Sequence, residues 1–369
     1  MKFLKQIELK IKKILNYFVI SERKTQKCNE VKNIFIANKE INLHNIKILI
    51  LRQDRIGDLI VSTPFIRILR EHFPTANIDI LLSKYNFCAK NCIKNYINKY
   101  WCYNKNIFNS IRLLNNLKKE KYDLVIDAFE TVSTTSSFII KYINPKLALG
   151  IDKSNYMIYD YIVPMLDRFN TNIVERTATL LYPFGINPQN KDLYIEYNND
   201  KINKNINNKS IDNKKDIFKF CINLSGSSPN RFWGVENNIK LIKFIKEKYT
   251  NIEIRIFSTS EYKEVTSNLK QKFNDIIIVQ CNTFDDFAFE VSKCNFIISP
   301  DTSIVHLASA YKIPIVVLYI KQANTQHQPW YPYKVNFIPI ETIENSIRNI
   351  KTTQVFDAIQ KLYNIEYTK

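Results

Sequence analysis

The sequence predicts an α/β protein of two parallel-sheet domains facing each other across a cleft, preceded by an amphipathic helix. Three observations lead there. Short apolar runs alternate with stretches of helical spacing along most of the chain, the pattern of strands joined by crossover helices. At 369 residues the chain exceeds one ordinary core and suits two. The alternation is interrupted near the middle by a tract of Asn, Lys and Asp, NNDKINKNINNKSIDNKK, which marks an interdomain linker or an exposed loop. The expected boundaries are 1–45 for the helix and a tether, 46–186 for the first domain, 187–216 for the linker, 217–345 for the second domain and 346–369 for a terminal helix.

Composition narrows the function classes. Hydrophobic residues make up 45% and aromatics 13%, enough for globular cores, so general disorder is excluded. Lys and Arg total 53 against 35 acids, a formal charge of +18 that favours a polyanionic partner: nucleic acid, an anionic membrane face or a phosphorylated substrate. Part of that charge reflects a bias toward Asn, Lys, Ile and Tyr with only 5 Gly, as an AT-rich genome produces. The seven cysteines are odd in number and scattered, as reduced cytosolic thiols are. Cys88 and Cys92 share a helical face without a His nearby, so no metal site is expected. No run reaches the ~18 uninterrupted apolar residues of a spanning helix.

Residues 2–20 place Phe3, Leu4, Ile7, Ile11, Ile14, Leu15 and Phe18 on one stripe flanked by Lys5, Lys10, Lys12 and Lys13. Charges interrupt the apolar run and no small-residue cleavage site follows, so this is not a signal peptide. Such a helix suits an anionic bilayer surface or, alternatively, docks on its own protein; residues 21–45 read as a polar tether that offers little to dock against.

The first domain opens with a buried strand, Lys47 to Leu51, the loop RQDRIGD and a helix carrying Phe65, Leu69 and Phe73. Thr63 and Pro64 mark a helix start, although the helix could begin at Asp58 and kink there. Strand Ile78 to Leu82, helix Ile107 to Leu117, strand Leu124 to Ile126 and helix Ser133 to Ile143 follow. In the second domain strand Phe218 to Leu224 runs into the loop SGSSPNRFW, helix Asn237 to Lys248, strand Ile252 to Phe257, helix Glu261 to Phe273, strand Ile276 to Val279 and helix Phe284 to Lys293. A terminal helix covers Thr352 to Leu362.

The stretch SPDTSIVHLASAYKIP, Ser299 to Pro314, lies between apolar runs Phe296 to Ile298 and Ile315 to Leu318 and reads as strand, helix, strand. Asp301 or Thr302 is the natural N-cap. Free N–H groups at such a helix start favour phosphates, and ligands of open α/β sheets gather beyond the carboxyl ends of the strands. His306, one turn on, could donate to a phosphate or sugar oxygen, or be a core histidine. Trp330, Tyr331 and Tyr333 in QPWYPY could wall a cleft or stack on a sugar, and such aromatics are more often core.

Three motifs together resemble glycosyltransferase family 9, the lipopolysaccharide heptosyltransferases, with their GT-B fold of two facing Rossmann-like domains. ILRQDRIGDLIVSTPFIRILREHFP resembles the family's strand, Gly-Asp turn and helix, INLSGSSPNRFW its phosphate loop, and SPDTSIVHLASAYKIP its nucleotide-sugar motif. The likeness runs from about Ile46 to Tyr333. The chain departs from the family pattern at Ser303, where Gly is usual, and at Gly234, where Pro is usual.

An inverting sugar transfer needs a base for the acceptor hydroxyl and positive charge for the leaving diphosphate. Asp58, after Gly57 at the end of the first strand, is the candidate base, a role the resemblance also assigns; the alternative is that it only caps its helix. Gly57 and Arg55 fall on the acceptor side. Ser227 and Ser228 supply hydroxyls and N–H groups that suit phosphate without a metal, and Arg231 adds a fixed charge where family members often have Lys. Asp301 beside a diphosphate would be repelled, so helix N–H groups and sugar hydroxyls are its expected partners. Thr302, Ser303 and His306 complete the donor side, and Glu261 matches by position the family's ribose-binding acid.

The resemblance thus implies a metal-independent enzyme without a cofactor that transfers heptose from ADP-heptose to the lipopolysaccharide inner core, peripheral on the cytoplasmic membrane face. Its partners would be a nucleotide sugar, a lipid-linked anionic acceptor and an anionic membrane surface. Another UDP- or ADP-linked hexose donor is the alternative. A nucleic-acid partner is not expected, since no RNP-like strand, GXXG or Cys/His finger occurs, and Asp58, Arg231 and His306 together argue against an inactive scaffold. If residues 2–20 lie on a bilayer, deleting them should abolish sedimentation with anionic vesicles and leave the melting temperature nearly unchanged. A melting temperature several degrees lower, with vesicle binding intact, would assign the helix to the fold.

Overall fold

The computed structural model of the protein describes residues 23–34, 45–198, 217–321 and 330–367; the predicted helix over residues 2–20 lies outside them. Contacts divide the chain into two units, Met1–Leu193 and Tyr194–Lys369. In the first, strands β1 (Gln26–Lys27), β2 (Lys47–Arg52), β3 (Asn77–Ser83), β4 (Lys99–Tyr103), β5 (Leu124–Asp127), β6 (Leu147–Ile151) and β7 (Tyr161–Val163) form a sheet in the order β1-β7-β6-β5-β2-β3-β4. Every described pairing within it is parallel. β2 is central, which accounts for its unbroken apolar run: Ile48, Leu49, Ile50 and Leu51 have no exposure.

β4, β6, β7 and β1 were not expected from the sequence. They are short, or carry polar residues or glycine, and their strand character comes from pairing with a formed neighbour. β1 corrects the tether reading. Gln26 and Lys27 pair with Tyr161 and Ile162, Cys28 is buried, Arg23 pairs with Asp160, and Thr25 Oγ1 donates to the Tyr159 carbonyl at 2.9 Å. Segment 23–34 therefore docks through edge pairing and polar side chains, which an apolar pattern cannot reveal.

Helices α1 (Ile56–Val61), α2 (Thr63–His72), α3 (Ile107–Lys119), α4 (Thr134–Ile143) and α5 (Ile173–Ala178) cover the sheet connections. The helix does begin before Asp58 and breaks at Ser62, whose hydroxyl donates to the Asp58 carbonyl at 2.8 Å. Pro64, at the start of α2, has no N–H to continue the earlier ladder. Ser133 and not a helical residue starts α4, capping it by accepting from the Ser136 N–H at 3.1 Å.

In the second unit β8 (Phe218–Asn223), β9 (Ile252–Phe257), β10 (Ile277–Val279), β11 (Phe296–Pro300), β12 (Ile315–Ile320) and β13 (Phe337–Thr342) form a parallel sheet ordered β10-β9-β8-β11-β12-β13. Its helices are α6 (Val235–Lys248), α7 (Lys263–Lys272), α8 (Phe284–Ser292), α9 (Ile304–Tyr311) and α10 (Thr352–Tyr367). The terminal helix is part of this unit, because Val355, Ile359 and Leu362 enter its core beside Phe220 and Phe296. The expected linker is narrower than 187–216: Pro188 and Leu193 are buried in the first unit, while Tyr197 packs on Phe284 in the second and donates to Asp285 at 2.7 Å. Residues 199–216 lie outside the described ones. No described helix is long and apolar enough to cross a membrane.

Each sheet reverses its direction of strand addition once. The chain adds β3 and β4 on one side of β2 and then places β5 on the other; likewise β9 and β10 lie on one side of β8 and β11 on the other. Such switch points open a crevice beyond the strand carboxyl ends, where ligands of this architecture bind. One close fit near the first of them is testable. A Cβ at Gly150 in β6 would stand 2.6 Å from the Tyr159 ring, whose hydroxyl donates to Asp127 at the end of β5. Gly150→Ala is expected to cost about 1–3 kcal/mol by overpacking, read as a lower urea midpoint at constant m. In a Tyr159→Ala background that increment should vanish.

Candidate active site

At the first unit's switch point β2 ends in Arg52 and β5 in Asp127, on neighbouring strands. Arg52 is only 2% exposed, so its charge has to be met by the protein. Nε donates to the Asp58 carbonyl at 2.9 Å and Nη1 to the Ala128 carbonyl at 2.6 Å. Nη1 also stands 3.2 Å from Asp54 Oδ2, and Nη2 3.9 Å from Asp58 Oδ1. Nη2 has no hydrogen-bond partner among the described residues, a buried donor left short that costs about 1–3 kcal/mol. Asn86, fully buried, fixes the turn: its Nδ2 donates to the Arg52 carbonyl at 2.7 Å, and its Oδ1 accepts from the Ser83 N–H at 2.8 Å. Ser83 Oγ in turn donates to the Asp54 carbonyl at 2.8 Å.

Asp58 sits in the first turn of α1, where its carboxylate accepts from the Arg55 N–H at 3.1 Å. It therefore does cap its helix, and with a side chain still 15% exposed it also presents a carboxylate to the crevice. Behind it, Asp127 accepts from Lys153 Nζ at 3.0 Å and from the Tyr159 hydroxyl. Burial pushes the Lys153 ammonium below its ordinary range, against the pull of Asp127. Asp54 is different in kind. Its Oδ1 is out of solvent and without a partner among the described residues, and burial pushes the carboxyl up to about 8, with Arg52 opposing and Asp58 and Asp127 adding to the rise.

At the second unit's switch point the organising group is neutral. Asn223, buried at the end of β8, donates through Nδ2 to Ser299 Oγ at 3.0 Å, Thr302 Oγ1 at 3.3 Å and the Ser225 carbonyl at 3.1 Å. The amide thereby joins β8, β11 and the loop that follows each. Ser225 Oγ accepts from the Thr259 N–H at 2.6 Å, tying in the loop after β9. Gly226 closes the turn: a Cβ there would lie 2.3 Å from Arg231 Cβ. Ser227 and Ser228 are exposed at its rim. Arg231 Nη1 donates to Asp301 Oδ2 at 2.7 Å and to the Asp301 carbonyl, so both bonds leave from one nitrogen and Nε and Nη2 lie outside the pair.

The structure thus gathers Ser227, Ser228, Arg231, Asp301 and Thr302 at one switch point, and Arg55, Gly57 and Asp58 at the other. Several expectations change. The N-cap of α9 is Ser303, with ordinary right-handed backbone, and not Asp301 or Thr302. Asp301 faces the guanidinium of Arg231, which the tight Gly226 turn brings to it. His306 is 4% exposed, its Nδ1 has no partner among the described residues, and burial pushes the imidazole down to about 4; it is a neutral core residue with its ring 6.3 Å from Trp330. Tyr331 is half-buried and donates to Glu341, while Tyr333 is buried with its N–H on Ser309 Oγ at 2.8 Å and belongs to the core. Glu261 is exposed on the short turn Ser260–Tyr262, next to Tyr262, which packs on Phe232 with ring centroids 4.9 Å apart. Sequence reasoning missed Arg52, Asp54, Asp127, Lys153 and Asn223. The available signal was a polar residue closing an otherwise apolar strand, as in Arg52, Asp127 and Asn223.

A partly exposed carboxylate beside a buried guanidinium can accept a proton from a hydroxyl, and a rim of hydroxyls, N–H groups and an Arg edge can hold a diphosphate. Comparison with known proteins gives the family. The family model Glycosyltransferase family 9 (heptosyltransferase) matches residues 110–359. The chain is 24% identical over 287 residues to putative lipopolysaccharide heptosyltransferase 4 of Escherichia coli K12, covering 71% of this chain and 75% of that protein. To lipopolysaccharide heptosyltransferase 3 of the same strain it is 21% identical over 300 residues, covering 76% and 84%. The crystal structure of a glycosyl transferase family 9 protein from Veillonella parvula shares the fold with a TM-score of 0.68 at 19% identity, over 87% of this chain and 98% of that one. E. coli heptosyltransferase WaaC with ADP does so with a TM-score of 0.68 at 15% identity, over 86% and 99%. With the family model spanning well over half of its length, the chain belongs to glycosyltransferase family 9, the heptosyltransferase family, and is a glycosyltransferase of GT-B fold.

Proposed function

We propose that the protein moves a heptose from ADP-heptose to the inner core of lipopolysaccharide, by inverting, metal-independent transfer at the cytoplasmic face of the membrane. The observation that carries this reading is Asp58, a carboxylate at a strand-end switch point with Arg52 Nη2 3.9 Å from its Oδ1. In the reaction, Asp58 takes the proton of the acceptor hydroxyl as that oxygen bonds to the anomeric carbon; the bond from this carbon to the diphosphate oxygen breaks on the opposite face, which inverts the centre. The departing diphosphate charge is met by Ser227, Ser228 and the open edge of Arg231. The donor is argued from kinship: WaaC of E. coli is known with ADP and with ADP-2-deoxy-2-fluoro heptose. A formal charge of +18 is the counterpart of an anionic lipid-linked acceptor and an anionic membrane surface.

Asp58→Asn should keep the fold and donor binding while lowering turnover at least ~10²-fold, measured as ADP release with a lipid A-core acceptor. Near-normal turnover would remove Asp58 from the role of base. Arg231→Ala should weaken ADP binding about tenfold or more in calorimetry, through loss of a charge-assisted bond and of the partner to Asp301. Unchanged affinity for ADP would mean that the Arg231–Asp301 pair only braces the loop.

A further inference from the structure

We propose that Arg52 is the positioning residue for Asp58 and that Asp54 competes with Asp58 for its guanidinium. The proposal rests on the reading of Asp58 as the base. Its footing is geometric. One guanidinium, 2% exposed, stands between two carboxyl groups, with Nη1 3.2 Å from Asp54 and Nη2, which has no partner among the described residues, 3.9 Å from Asp58. The two remaining anchors of Arg52, on the Asp58 and Ala128 carbonyls, hold the guanidinium there whichever carboxylate it serves.

Charge decides between the two carboxyl groups. Asp54 is faced by Arg52 from β2, by Asp58 and the Arg55 turn from α1, and by Asp127 from β5, while the β3 side offers only neutral Ser83 and Asn86. Asp127 is held by Lys153 and Tyr159, and Glu130 by Arg176, so neither carboxylate needs Arg52. With Asp54 protonated, Asp58 is the one ionised carboxylate of the pair that Arg52 faces, and the guanidinium orients it. With Asp54 ionised, the guanidinium is shared and Asp58 loses its fixed partner. Burial places that exchange near pH 8, so turnover should fall as pH rises through it.

The test uses the full chain with ADP-heptose and a lipid A-core acceptor. Turnover of the wild type should drop up to roughly tenfold between pH 6.5 and 9, the change in protonated fraction of a group titrating near 8. In Asp54→Asn the ratio of kcat at these two pH values should approach one. Arg52→Lys should lower kcat several-fold with little change in donor KM, because a single ammonium cannot keep both carbonyl anchors and also face Asp58 with a second nitrogen. An Asp54→Asn protein that keeps the alkaline fall, or an Arg52→Lys protein with the wild-type kcat, overturns the proposal. Melting temperature gives a readout that needs no activity. A carboxyl whose pKa is higher folded than unfolded makes stability fall as pH rises from about 4 to 8, so the gap between Asp54→Asn and wild type should widen in favour of the variant over that range. If the wild type transfers heptose and the gap stays constant, this inference alone fails. If the gap widens and no nucleotide sugar is turned over, the functional reading fails and the Asp54 titration stands.

Discussion

The first unit is arranged around a guanidinium that has almost no contact with water. Arg52 closes the central strand β2, and its placement in the sheet core demands partners that no single neighbour supplies. The backbone answers with the Asp58 and Ala128 carbonyls, drawn from the two elements that flank the switch point. Asn86 and Ser83 then lock the turn between β2 and α1 from the β3 side. The position of Asp58 is a consequence of these bonds: its carbonyl is tied to Arg52 while its carboxylate, fixed by the Arg55 N–H, is left at the edge of the crevice.

The second unit solves the same geometric problem with a neutral group. Asn223 closes β8 as Arg52 closes β2, and its amide reaches β11 and the loops beyond both strands. An amide can join backbone and hydroxyl partners without a charge to neutralise, which leaves the local electrostatics to Arg231 and Asp301. A buried guanidinium has to be met by carboxylates and carbonyls, whereas a buried amide is satisfied by hydroxyls and backbone. Pairing Arg231 with Asp301 through a single nitrogen holds the guanidinium in place and keeps its other edge available.

Several features were legible in the sequence. Period and length gave the strands that lie deep in each sheet, since burial on both faces leaves an unbroken apolar run, as in Lys47–Arg52 and Phe218–Asn223. The residues Asp58, Ser227, Ser228 and Arg231 stood out because they come within a few residues of the ends of such strands. Edge strands such as Gln26–Lys27 and Tyr161–Val163 gave no signal, because two or three residues carry no periodicity and their pairing depends on a neighbour. The pairing of Asp301 with Arg231 gave no signal, because the two are 70 residues apart in sequence.

The sequence by itself determined the class of the fold, the strands at the centre of each sheet and the loops that carry chemistry, since these are fixed by local pattern and by the identity of a few polar residues. Only the tertiary structure decided how those residues are charged and held. It set the sharing of Arg52 between Asp54 and Asp58, the burial of His306, the capture of Asp301 by Arg231 and the bridging by Asn223. The reason is physical: the cost of burying a charge or an amide depends on which groups from distant strands surround it, and strand order in a parallel sheet is set by crossovers that no local pattern encodes.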